Sequence, residues 1–254
     1  MPGSPHRGVL FDVDGTLLSH DEPIPGAAEA IERLRARGVP FRIGTNTTRR
    51  PRSAVAAVLA RGGIRVRSDE ILNPAVLARR LILDSGRAGA ALLVPPGARE
   101  DFAGVIEDEA RPGWVVLGDL GRGFTFDVLN RAYRWLKGGA GLIALHKNRA
   151  WDNGVDGVVL DAGPYVAALE YAAGVEAELV GKPSRRFFEL AVAEIGLSPG
   201  EVLVVGDDLE ADCRGGAAAG CLTALVLTGG TTRATLDASG FRPDRVCASV
   251  AEID

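Results

Sequence analysis

The stretch GVLFDVDGTLL, residues 8–18, begins like a buried strand and then breaks that pattern. Gly8, Val9, Leu10 and Phe11 are small or apolar. Asp12 and Asp14 follow two apart, and Gly15, Thr16, Leu17 and Leu18 close the run. Carboxylates are seldom buried unless they are paired or bound to a metal. Two of them at the mouth of a first core strand therefore call for compensating charge, which the rest of the chain must help to supply.

Outward from this stretch, strand and helix alternate. Pro25-Gly26 opens a helix in which Ala27, Ala30, Ile31 and Leu34 recur at helical spacing, and Gly38 closes it. FRIGTN (41–46) reads as the next strand and Pro51–Ala60 as the next helix. The last third repeats the theme, with a helix from Pro183 to Gly196, EVLVVGDD (201–208), a helix near 210–219, LTALVLTGG (222–230) and RVCAS (245–249). Short Val/Leu/Ile runs between amphipathic helices indicate a parallel sheet covered on both faces. Between these parts, the chain has its own alternation, with helical runs near 75–84, 98–110, 125–137 and 164–173 and strand-like runs at 90–94, 114–118 and 141–146. The expected organisation is an α/β, doubly wound (Rossmann-like) core of residues 1–73 and 181–254, with an α/β module of residues 74–180 inserted into it.

Composition narrows the function classes. The chain has 254 residues, 46% hydrophobic and 24% charged, as in an ordinary globular protein. Its net charge of −4, with the arginines scattered, offers no basic stripe for nucleic acid. Residues 1–7 lack the apolar run of a signal peptide and no stretch approaches a membrane span, so the sequence reads as cytoplasmic. Cys213, Cys221 and Cys247 form no C-x-x-C pair and read as small core hydrophobes.

Four pieces stand at the ends of expected core strands: Asp12-Val13-Asp14-Gly15-Thr16, Thr45-Asn46, Gly181-Lys182-Pro183, and Gly206-Asp207-Asp208 with Asp212. Ligands of open parallel sheets bind outside the carboxyl ends of the strands, so these pieces should converge. Asp12 and Asp207 would offer hard oxygen ligands to a small divalent cation such as Mg²⁺. A carboxylate can also attack phosphorus, and a second acid two residues on can protonate a leaving oxygen and then activate water. Thr45, Asn46 and Lys182 are suited to contact phosphoryl oxygens.

The DVDGTLL run resembles the first motif of the haloacid dehalogenase superfamily, and the other three pieces resemble its second, third and fourth motifs in order. DGVVLDAGPYVAALEYAAG (156–174) and VLTGGTT (226–232) extend the resemblance to the NagD-like branch with a large α/β cap between motifs two and three. That branch includes the nitrophenyl phosphatase, phosphoglycolate phosphatase and pyridoxal phosphate phosphatase types. The resemblance implies that Asp12 is nucleophile and metal ligand, and that Asp14 is general acid/base with its carbonyl on Mg²⁺. It implies that Thr45 and Asn46 bind the phosphoryl group, Lys182 steadies Asp12 and phosphate, and Asp207 ligates the metal. Asp208 and Asp212 are left open, since one of them would orient a metal water or Lys182. The superfamily's dehalogenases lack an acid at the position of Asp14 and its ion pumps carry Thr there, so Asp14 points to phosphatases and mutases. Mutases usually place a small cap between the first two motifs, where this chain has no room for one.

The expected activity is hydrolysis of a small phosphorylated metabolite, with no nucleic-acid or membrane partner. Two alternatives stay open: a phosphate-ligand-binding regulatory or scaffold protein, and a hydrolase of a phosphoanhydride or P–N bond. The branch also contains cap-mediated homodimers. Gly121-Arg122-Gly123 reads as a turn rather than a nucleotide loop, and His146, Lys147 and Arg149 as either cap contacts to substrate or a solvated loop.

Overall fold

The computed structural model describes residues 6–152 and 155–254; the first five residues, part of the N-terminal segment read above for targeting, lie outside it. The chain opens with β1 (Gly8–Phe11), a two-residue hairpin of β2 (Leu18–Ser19) and β3 (Glu22–Pro23), α1 (Ala27–Ala36), β4 (Phe41–Gly44), α2 (Arg52–Arg61) and β5 (Ile71–Leu72). The middle holds α3 (Pro74–Asp84), β6 (Ala90–Leu93), β7 (Trp114–Leu117), α4 (Phe126–Lys137), β8 (Gly141–Ala144), β9 (Ala150–Asp152), β10 (Val158–Leu160), α5 (Ala162–Ala173) and β11 (Glu178–Leu179). The last part runs through α6 (Arg185–Ile195), β12 (Val202–Gly206), α7 (Gly215–Ala218), β13 (Leu222–Val226), α8 (Arg233–Ser239) and β14 (Arg245–Cys247).

These elements form two compact units. The first comprises the described residues up to Thr45, Arg52–Leu72 and Lys182–Asp254; the second comprises Asn46–Pro51 and Asn73–Gly181. The short stretch Asn46–Pro51, expected with the core, clusters with the inserted unit.

The first unit is built on a six-stranded sheet in the order β14-β13-β12-β1-β4-β5, with every pairing parallel. β1 and β12 are buried along their whole length, which is why they read as unbroken apolar runs. Val9 and Phe11 join a cluster with Ala27, Ala30, Ile31 and Leu34, the stripe that α1 was expected to bury. Leu10 approaches Gly44 from the other side, as does Phe187 of α6, so the sheet is covered on both faces. From β1 the chain moves outward one way through β4 and β5, then returns to add β12, β13 and β14 on the other side. The order therefore reverses between β1 and β12, the place where such sheets bind ligands.

The second unit has its own parallel sheet, β11-β8-β7-β6, and an antiparallel hairpin of β9 and β10. Val115, Leu117, Leu142 and Ala144 pack against Ala132, Leu136, Val166 and Leu169 of α4 and α5. Asn73 caps α3 by accepting from Val76 N–H at 3.1 Å.

One sequence expectation needs correction. The run 98–110 is no α-helix: tight turns cover Pro96–Phe102, and beyond Gly104 the Asp108 side chain accepts from the N–H groups of Ala110 and Arg111. Such local acceptance by Asp competes with helix formation. The helix expected near 210–219 is present with a widened start, π-helical over Leu209–Arg214 and α-helical through α7. Cys213, Cys221 and Cys247 are buried and unbonded. Among the described residues, no helix is long and apolar enough to cross a membrane.

Candidate active site

The site lies in the first unit, where β1 and β12 end. Asp12 N–H donates to Val205 O at 2.8 Å, continuing the β1–β12 ladder one residue past the strand. The chain then turns: Leu17 and Leu18 N–H both reach Val13 O, and Gly15 N–H donates to Leu18 O at 2.7 Å. Gly15 holds φ +80°, a value a side chain would make costly, and a Cβ there would run into the Asp207 carboxylate. The turn leaves Asp12 buried and Asp14 exposed. The same two acids thus occupy different environments, as a nucleophile and a proton carrier would need.

Lys182 is the centre of the cluster. Its Nζ donates to Asp12 Oδ1 at 2.5 Å, to Asp212 Oδ1 at 2.6 Å and to Gly44 O at 3.1 Å. An ammonium has three donors, and these acceptors come from the end of β1, the π-type turn and the end of β4. Lys182 is 4% exposed, Asp12 8%, Asp207 9% and Asp212 1%.

The structure separates Asp208 from Asp212, which the sequence left open. Asp208 is exposed, and its carboxylate caps the following turn by accepting from Glu210 and Ala211 N–H at 2.8 Å. Asp212 turns inward, with Oδ1 on Lys182 and Oδ2 accepting from Asp208 N–H at 3.2 Å. Gly206 makes that possible, since a Cβ there would overlap the Asp212 carboxylate.

Asp207 is held by a loop whose part sequence reasoning did not assign. Gly230 N–H donates to Asp207 Oδ2 at 2.6 Å, and Thr231 N–H to its carbonyl at 3.2 Å. Gly229 lies so close that a Cβ would collide with the same carboxylate. The signal was the paired glycine in Thr228-Gly229-Gly230-Thr231, a composition that fits close backbone approach to an acid.

Three buried acids share one ammonium, and their proton affinities reflect it. Burial pushes Asp12 up to about 7 against the pull of Lys182, with Asp207 and Asp14 adding to the rise. Burial likewise lifts Asp212 to about 7 and Asp207 to about 6, the latter opposed by the Gly230 N–H. Burial alone would lower Lys182, but Asp12 and Asp212 overcome it and hold the ammonium protonated. Oxygens of Asp12, Asp207 and Asp212 lie within 4.8 Å of one another. All are hard donors, and their excess negative charge is what a divalent cation would neutralise. The residues present fit such an ion.

A stability test follows for the metal-free protein. Each carboxyl holds its proton more tightly when folded (about 6 to 7) than at its ordinary 3.8. Their contribution is therefore complete below pH 4 and lost as pH rises through about 7. In chelator the melting temperature should fall between pH 5 and pH 8, and millimolar Mg²⁺ at pH 8 should restore it. A metal-free melting temperature that stays level over that range would overturn this account of the cluster.

Thr45 is buried at the end of β4 in the first unit, its N–H on Leu72 O at 3.0 Å. Asn46 opens the second unit, where its side-chain oxygen stands against Gly181. His146 is not solvated: it is buried in the second unit, with Nε2 3.3 Å from Thr48 Oγ1 and 3.6 Å from Asp161. Lys147 pairs with Glu170 at 2.8 Å.

Known proteins resemble this chain in sequence and in fold. A family profile described as haloacid dehalogenase-like hydrolase matches residues 9–105, and one described as HAD-hydrolase-like matches 179–253. The chain is 38% identical to haloacid dehalogenase-like hydrolase domain-containing protein 2 of Bos taurus, over 96% of this chain and 92% of that protein. It is 37% identical to the phospholysine phosphohistidine inorganic pyrophosphate phosphatase of Bos taurus, over 88% of this chain and 83% of the relative. The crystal structure of 4-nitrophenylphosphatase from Thermotoga maritima matches with a TM-score of 0.90 at 29% identity, covering 98% of this chain and 96% of that one.

Proposed function

The chain belongs to the haloacid dehalogenase-like hydrolases, and on that premise we propose that it is a Mg²⁺-dependent phosphatase that transfers the phosphoryl group of a small metabolite to Asp12 and then to water. The observation that supports this most directly is the buried Asp12 carboxylate pinned by Lys182, with the exposed Asp14 two residues on. Lys182 orients Asp12 so that its other oxygen can attack phosphorus. Asp14 gives a proton to the departing oxygen as the P–O bond breaks, then takes one from the water that attacks the phosphorylated Asp12. Thr45 and Asn46 bind the phosphoryl oxygens, and Asp212 fixes Lys182. A divalent cation held by Asp12, Asp207 and the Asp14 carbonyl would screen the charge of the acids and of the phosphate.

A second reading concerns the bond cleaved. One relative is named for phospholysine, phosphohistidine and pyrophosphate, and the same residues can cleave a P–N or P–O–P bond if the leaving group is protonated. Phosphate release from monoesters, pyrophosphate and a phosphoramidate, with and without Mg²⁺, separates the readings. Metal-dependent release is the expected result, and faster cleavage of monoesters than of the other two classes supports the metabolite reading. The reverse ranking favours the second. No release from any class, with tight binding of one phosphorylated compound, would point to a regulatory binding protein.

A further inference from the structure

We propose that Thr228 is a positioning residue for proton transfer, its hydroxyl holding the turn that carries Asp14. The proposal rests on the phosphatase reading above and adds a residue that reading does not use. Thr228 lies two residues beyond β13, and its Oγ1 donates to Gly15 O at 2.6 Å. Gly15 is thereby held on both sides, its N–H by Leu18 O and its carbonyl by Thr228. Asp14 precedes it directly and is exposed, so the backbone of the turn bears on where its carboxylate stands.

The rest of the loop explains why this contact bears on chemistry. Gly230 and Thr231 donate to Asp207, and Thr231 Oγ1 accepts from Leu209 N–H at 3.0 Å. One four-residue loop thus braces the Asp14 turn at its first residue and Asp207 at its last two.

The test compares leaving groups. 4-Nitrophenolate departs without a proton, whereas an alkoxide needs one from Asp14. Misplacing Asp14 should therefore hurt an alkyl phosphate more than 4-nitrophenyl phosphate in kcat/KM, which reports the chain of events through departure of the first product. In Thr228→Val the ratio of the two kcat/KM values should shift by about tenfold against the alkyl ester, a fraction of what a general acid contributes. Because attack of water on phosphorylated Asp12 still needs Asp14, 4-nitrophenyl phosphate should show a burst before a slower steady state. Thr228→Ser should restore the parent ratio.

The ratio does not depend on how much of the enzyme is folded, and Thr228→Ala provides a second variant with the same expectation. An equal loss on both substrates, or no loss, would overturn the proposal, as would a Thr228→Ser variant that behaves like Val. Asp12→Asn is run beside them. If wild type releases phosphate and Asp12→Asn does not, the phosphatase reading stands and an unshifted ratio removes Thr228 alone. If Asp12→Asn matches wild type, the reading fails and takes the proposal with it.

Discussion

Asp12→Asn should lower turnover by about 10⁴-fold or more while the protein stays folded. Asn keeps the shape of Asp and an oxygen acceptor, so Lys182, now 2.5 Å from Asp12 Oδ1, retains a partner there. What the substitution removes is the carboxylate oxygen that would form the bond to phosphorus. It also removes one of three buried acids. Burial has raised Asp12 to about 7, so its ionised form is the strained one. Above that pH the metal-free variant should accordingly melt no lower than its parent. Inactivity with an undiminished melting temperature assigns Asp12 to the chemistry. A folded Asp12→Asn protein of near-normal activity would leave Asp12 as a ligand at most, and the nucleophile would have to be sought elsewhere.

The parts of this molecule that the sequence made legible are those with one dominant physical cause. β1 and β12 are buried on both faces, so every residue is apolar and the runs are unmistakable. α1 buries one stripe, and its period shows in the spacing of Ala27, Ala30, Ile31 and Leu34. The four acid- and lysine-bearing pieces stand out because charge at the end of such a strand needs an explanation. The hairpin of β9 and β10 was not legible, because Val158 and Leu160 are exposed and alternate with no buried face. β11 has only two residues, too few for any period.

Within the site, the difference between Asp208 and Asp212 depends on a widened turn, not on residue type. In a regular α-helix residues four apart lie on one face, so the two acids would have faced the same way. The π-type turn lets Asp212 point back to Asp208 N–H and Lys182, while Asp208 caps the turn from outside. The TGGT loop was visible as a resemblance and silent as to purpose. Its purpose needs the three-dimensional fact that Gly229 and Asp207 touch.

Lys182→Met should be the most destabilising single change in the first unit's site, and its effect should depend on pH. Met has an unbranched side chain of similar reach, so packing is largely kept and the loss is electrostatic. Removing one partner of a buried ion pair costs about 3–5 kcal/mol, because the other charge remains without compensation. Here two carboxylates lose their ammonium at once, at 2.5 and 2.6 Å. At about 2–4 °C per kcal/mol for a chain of this size, the melting temperature should drop by roughly 10 °C at pH 8 in chelator. At pH 5 the drop should be smaller, since Asp12 and Asp212, already raised to about 7, can take up protons instead of remaining charged. Mg²⁺ should recover part of the lost stability, because a cation supplies some of the missing positive charge. It should not recover turnover, expected to fall by about 10²–10³-fold, because Asp12 loses the donor that orients it. The two readouts therefore part company when metal is added. A variant as stable as its parent at pH 8 without metal would show that Lys182 does not hold the acids together. One whose turnover returns with Mg²⁺ would show that Lys182 supplies only charge, and that Asp12 is oriented without it.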